Sequence, residues 1–155
     1  MQPSTLLALA LSVSCAVAQC PFQTVAVQTY GQGCNAVFAA LPTLTFALDA
    51  SACQLTANVS SFPGCCNTFR VGSLLALGDQ PVNVPLPQFG PGCTLLASPA
   101  ILLFVPNAAG TSFALNLPPA LPPLTFHGQG GVLYFTTIGL SYDFALTEGA
   151  QVTLQ

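Results

Sequence analysis

Chemistry in this chain would have to come from very few side chains: one histidine, His127, one cation, Arg70, and four carboxylates, Asp49, Asp79, Asp143 and Glu148. A hydrolytic triad needs a serine activated by a histidine that a carboxylate orients. All three residue types exist here, but no G-x-S-x-G elbow marks a nucleophile. His127 shares the parity of Thr125 and Gln129 in an alternating segment, opposite Leu124 and Phe126. That placement predicts a strand histidine that faces solvent or makes a local hydrogen bond. Glycoside hydrolysis needs two carboxyl groups converging on one linkage, and nothing in the spacing of the four pairs them. Calcium asks for clustered oxygen ligands. Asp143 and Glu148 are the only near pair, and they read as solvated loop residues. The expectation is a non-enzymatic protein with no catalytic residue, no cofactor and no metal site.

Charge restricts partners in the same way. Average proteins are about 25% charged; this one is 3% charged, with a net charge of −3. Phosphate contact runs on Lys and Arg, so one arginine argues against nucleic acid. A carbohydrate- or ligand-binding module is the alternative function; sugar binding would use exposed aromatics, although Trp is absent and the tyrosines are Tyr30, Tyr134 and Tyr142. Most phenylalanines fall on apolar strand faces and read as core. Asn58-Val59-Ser60 is a glycosylation sequon, relevant in a eukaryotic host.

Residues 6–18 (LLALALSVSCAVA) form an apolar run ending in Ala16-Val17-Ala18, an A-x-A cleavage pattern before Gln19. The run is too short for a membrane span, which needs about 20 apolar residues. Residues 1–18 are therefore expected to be a signal peptide, and 19–155 a single secreted domain without a transmembrane segment. Of the seven cysteines, cleavage removes Cys15 and leaves Cys20, Cys34, Cys53, Cys65, Cys66 and Cys93. An oxidising compartment favours pairing all six into three disulfides. Adjacent cysteines rarely bond each other, so Cys65 or Cys66 is expected to reach a distant partner. Cys65-Cys66 is adjacent rather than C-x-x-C, which argues against zinc.

The elements carrying these residues alternate with period two, the mark of half-buried strands. Leu44, Phe46 and Leu48 oppose Thr43, Thr45 and Ala47; Leu55, Ala57 and Val59 oppose Gln54, Thr56 and Asn58. Phe113, Leu115 and Leu117 oppose Ser112, Ala114 and Asn116. Phe69 and Val71 flank Arg70, which is expected to point outward. Residues 132–144 are expected to make one long strand, and Ala150, Val152 and Leu154 a last one. Turns fall at Tyr30-Gly31-Gln32-Gly33, at Pro63-Gly64, at Phe89-Gly90-Pro91-Gly92 and at residues 107–110. In residues 81–87 prolines alternate with Val and Leu, which predicts an edge strand or a polyproline-like crossing. Residues 117–124 (LPPALPPL) read as a stiff loop. Roughly nine or ten short strands at this spacing predict an all-β, antiparallel β-sandwich, jelly-roll or Ig-like, stapled by disulfides.

Five short signatures carry a resemblance. They are Tyr30-Gly31-Gln32-Gly33-Cys34; Pro91-Gly92-Cys93-Thr94-Leu95-Leu96 with Ser98-Pro99; and Ala109-Gly110-Thr111 before Phe113-Ala114-Leu115. Leu124-Thr125-Phe126-His127-Gly128-Gln129-Gly130 and a closing Val152-Thr153-Leu154 complete the set. From Tyr30 onward the chain resembles small secreted, low-charge β-sandwich proteins of environmental bacteria, a group without an assigned activity. The resemblance implies fold and export but no site. The chain departs from it at His127 and in the cysteines around Cys53, Cys65 and Cys66.

A surface this poor in charge meets water with Thr, Ser, Gln, Asn, Gly, Pro and apolar area. It has little electrostatic repulsion between copies and few charges to guard strand edges. The functional expectation is a structural or adhesive component of the cell surface or extracellular matrix, partnering itself or matrix components.

Overall fold

The computed structural model describes residues 20–35, 40–106 and 111–155. The signal segment and the turn at residues 107–110 lie outside the described residues. Twelve strand segments follow one another: β1 (Val25–Tyr30), β2 (Cys34–Asn35), β3 (Thr43–Asp49), β4 (Gln54–Ser60), β5 (Gly64–Cys65), β6 (Thr68–Gly78), β7 (Pro81–Pro85), β8 (Thr94–Ala97), β9 (Ile101–Pro106), β10 (Ser112–Asn116), β11 (Leu124–Thr136) and β12 (Ser141–Leu154). A single 3-10 turn (Pro87–Phe89) lies between β7 and β8. No α-helix occurs among the described residues, and none is long and apolar enough to cross a membrane.

The pairing is antiparallel throughout, and the fold is all-β and sandwich-like. The main sheet runs β1-β12-β11-β6-β5, with β2 added to β12 and β9 to β6. A second sheet, β10-β4-β3, covers one face of it. Ala57, Val59 and Phe113 from the small sheet pack there on Leu75, Leu77, Val132, Tyr134 and Ala145 from the large one. Ala150, Val152 and Leu154 extend this core toward Leu55 and Phe22. The β7-β8 ribbon covers part of the opposite face, so the molecule has three layers where a sandwich has two. Cys34, Cys93 and Leu146 join the third layer to the sheet, with Leu86 and Phe89 packed against them.

Gly130 sets how closely the first two layers approach. A Cβ there would lie 2.8 Å from Val59 Cγ2 and 3.0 Å from Thr147 Cγ2. Opposite Gly130, β12 carries two residues, Thr147 and Glu148, which makes a β-bulge. The Gly130 amide donates to Thr147 Oγ1 at 2.9 Å. The bulge reverses the inward parity of β12, from Ala145 and Thr147 before it to Ala150, Val152 and Leu154 after it.

Two sequence expectations are corrected here. Residues 132–144 do not form one strand; the chain turns between Thr136 and Ser141, with Gly139 at φ +88° and Leu140 at φ +49°. Its C-terminal part instead belongs to β12, continuous with residues 150–154. Arg70 does not simply point outward either. Tyr134 pairs with Arg70 and Leu133 with Gly72, leaving Val71 as the extra residue of a second irregularity. The alternation slips there, so Phe69 is exposed and Arg70 half-buried. The proline segment behaves as expected: β7 pairs with β8 alone and its register breaks between Pro81 and Val84. Residues 117–123 form the anticipated loop.

Candidate functional site

His127 is the largest departure from the sequence reading. It is only 9% exposed, because the face it occupies, polar by pattern, lies beneath Tyr30. The two rings meet edge to face with centroids 5.6 Å apart, and Tyr30 donates its hydroxyl to the Leu96 carbonyl at 2.7 Å. Burial pushes the Tyr30 hydroxyl above its ordinary pKa. His127 Nδ1 is buried without a hydrogen-bond partner, so the solvent-facing or locally bonded histidine is corrected to a packed one.

The carboxylates fall at three places: Asp49 ends β3, Asp79 follows β6, and Asp143 and Glu148, expected from the sequence in a loop, both lie on β12. Asp49 caps the β3–β4 turn: its Oδ1 accepts from Ser51 Oγ (2.6 Å), Ser51 N (2.9 Å) and Ala52 N (3.1 Å). The Ser51 hydroxyl, followed by these amides, holds the Asp49 carboxyl below its ordinary pKa. Asp79 accepts from Ser98 Oγ at 3.1 Å, and Asp143 from Thr136 Oγ1 at 3.3 Å. Glu148 borders a hollow of about 310 Å³ beside Thr29 and Thr43. Among the described residues no group of three His, Cys, Asp or Glu comes together as a metal site. Asn58 of the sequon is half-buried in β4 and accepts from the Ser112 hydroxyl.

Four of the six candidate cysteines pair, as Cys20–Cys53 and Cys34–Cys93. The first bridge ties the N-terminal segment to Cys53, which takes φ +50° at the end of the β3–β4 turn. Cys66 is corrected: it is free and exposed, at φ +57° in the two-residue turn between β5 and β6. Its thiol reaches the surface, and both bridges form between other cysteines. The side chain of Cys65 lies outside the described set.

What the fold assembles instead is apolar surface. β9 pairs with β6 on one side, and its other row of backbone groups meets no strand among the described residues. Ile101, Leu102 and Phe104 on this strand are 53%, 64% and 50% exposed. Natural sheets guard such edges with charge, proline, bulges or a covering element; β9 has proline only at its end, Pro106. Leu102 and Phe104 lie across the ladder from Ala76 and Leu74. There Leu102 borders an apolar groove of about 370 Å³ whose far wall is Leu86, Phe89 and Leu95 from the third layer. Phe89 leans on Phe144 at 4.4 Å between centroids and closes one end.

A second cleft, of about 490 Å³, opens between the two main layers. No role was read from the β9 segment in the sequence. The uncharged ILLFVP segment after Ser98-Pro99 was the available signal for an exposed edge. Compared with family models, with curated proteins and with solved structures, the chain finds no match.

Proposed function

We propose that the protein is a non-enzymatic extracellular domain, structural or adhesive, that assembles edge to edge through β9 at the cell surface or in the matrix. The observation that carries this reading is the exposed, uncharged β9 edge flanked by an apolar groove. Antiparallel pairing of β9 with the β9 of a second copy continues the main sheet across both molecules and covers Leu102 and Phe104. The absence of charged residues between Asp79 and Asp143 removes the repulsion that keeps such edges apart. Two disulfides and the A-x-A ending at Ala18 support export, and the resemblance to secreted low-charge sandwich proteins belongs to the same reading. Amide hydrogen exchange tests it. The β9 amides should exchange freely in dilute protein and become protected as concentration rises; protection independent of concentration rejects the edge.

A second reading rests on Tyr142, the one tyrosine with an exposed ring (64%). It borders a shallow hollow of about 250 Å³ with Gln88 and Asp143 and packs on Phe135 at 5.1 Å. An exposed ring beside amide and carboxylate oxygens suits a neutral sugar. Glycan-array binding lost in Tyr142→Ala would support it; no binding by the wild type removes it.

A further inference from the structure

The cleft between the two layers sits where Leu115 and Leu117 face Leu77, Ile101 and Phe126, with Leu55 also in the lining. Its volume of about 490 Å³ is within the range of about 300–1,000 Å³ that small-molecule sites occupy. The walls are held in place. Leu117 donates its amide to the Cys53 carbonyl at 2.9 Å, which ties the stiff proline loop to the Cys20–Cys53 bridge. A site built on paired strands and a braced loop loses little freedom when it is filled.

One ionisable group lines this space, Asp79. Its carboxylate is oriented at the rim by Ser98, whose hydroxyl donates to Asp79 Oδ1 at 3.1 Å and accepts from the Gln80 amide at 3.3 Å. The Ser98 amide in turn donates to the Gln80 carbonyl at 3.0 Å. Gly78 permits this approach, because a Cβ there would collide with the Ser98 carbonyl oxygen. An ionised carboxylate has about four lone-pair positions for donors, and Ser98 occupies one. An apolar slot with one fixed anion at its mouth, on a chain of net charge −3, attracts a cation and repels an acid.

We propose that this cleft binds a small apolar amine, its hydrocarbon body between the layers and its ammonium on Asp79. The cleft shares Ile101 with the β9 edge but does not depend on the assembly reading, and the test uses dilute protein to keep the two apart. Isotope-labelled protein is titrated with 4-phenylbutylamine and, separately, with 4-phenylbutanoate, and amide resonances are followed by NMR. The amine should saturably shift Leu77, Ile101 and Leu115 and bind at least about tenfold more tightly than the carboxylate, since one meets attraction and the other repulsion at Asp79. Asp79→Asn should bring the two affinities within about twofold of each other. Ala100→Trp, at an exposed position on the rim, should block the amine while keeping a dispersed spectrum. Should that variant unfold, the Asp79→Asn comparison decides alone. Shifts that avoid the cleft, tighter binding of the carboxylate, or an unchanged preference in Asp79→Asn would overturn the proposal.

Discussion

The Leu96 amide donates to Gln129 Oε1 across 2.9 Å, and this bond fastens the third layer to the main sheet. Gln129 is 2% exposed, and its amide nitrogen donates to the carbonyls of Thr94 and Thr147, both at 3.0 Å. One side chain thus satisfies three backbone groups on β8 and β12. Gln129→Leu keeps the volume and strands all three. We expect it to lower unfolding free energy by about 2–4 kcal/mol, the cost of buried groups left unpaired, as measured by urea denaturation. A change under about 0.5 kcal/mol would mean that water replaces the amide.

His127 calls for a paired test. Because Nδ1 has no partner and the ring packs on Tyr30, shape matters more here than polarity. His127→Phe should stay within about 1 kcal/mol of wild type or exceed it. His127→Ala should lose about 2–3 kcal/mol by opening a cavity. Equal, negligible effects of both would return His127 to the surface.

Cysteine reactivity should divide in two. Iodoacetamide should label Cys66 on the native protein, while Cys20, Cys34, Cys53 and Cys93 should resist until reduced. The bridges close sequence separations of 33 and 59 residues. In the chain-entropy account each then stabilises the fold by about 4 kcal/mol, so reduction should lower the thermal midpoint steeply. Peptide mapping that finds Cys66 protected on the native protein would contradict the assignment.

Asp49 gives a pH signature. Its folded pKa lies below the unfolded value because of the Ser51 and Ala52 hydrogen bonds. Its contribution to stability is therefore present above the unfolded carboxylate pKa and fades as pH falls through the depressed one. Ser51→Ala removes the largest cause and should move the Asp49 titration, followed by NMR, upward toward the ordinary aspartate range. An unmoved titration would show that the backbone amides suffice.

The sequence made the architecture legible wherever alternation was uninterrupted. β3, β4 and β10 fall where Leu44, Leu55 and Phe113 set the period, and the proline-bearing β7 is an edge. Legibility failed at register breaks. Val71 and the Thr147–Glu148 bulge each add one residue, which swaps faces without changing composition. The turn at residues 137–140 is spelled Thr-Ile-Gly-Leu, so only Gly139 signalled it. His127 was misplaced because period two separates two faces but does not say whether a third layer covers one of them. The apolar edge escaped notice because exposure of Leu102 and Phe104 depends on what the neighbouring strands leave uncovered.

Assembly through β9 is tested most directly by sedimentation velocity from low to high micromolar protein, in a Cys65→Ser/Cys66→Ser background so that neither cysteine of the doublet contributes an intermolecular disulfide. The wild-type edge should yield larger species as concentration rises, and sodium sulfate should strengthen them by favouring apolar burial. Leu102→Lys should remain monomeric and folded, since the new charge would have to be desolvated when a strand docks. Asn83→Lys, on an edge where Pro81 and Pro85 already remove donors, should change assembly less. A wild-type protein that stays monomeric at high micromolar concentration in sulfate, or a Leu102→Lys variant that assembles like wild type, would contradict the account.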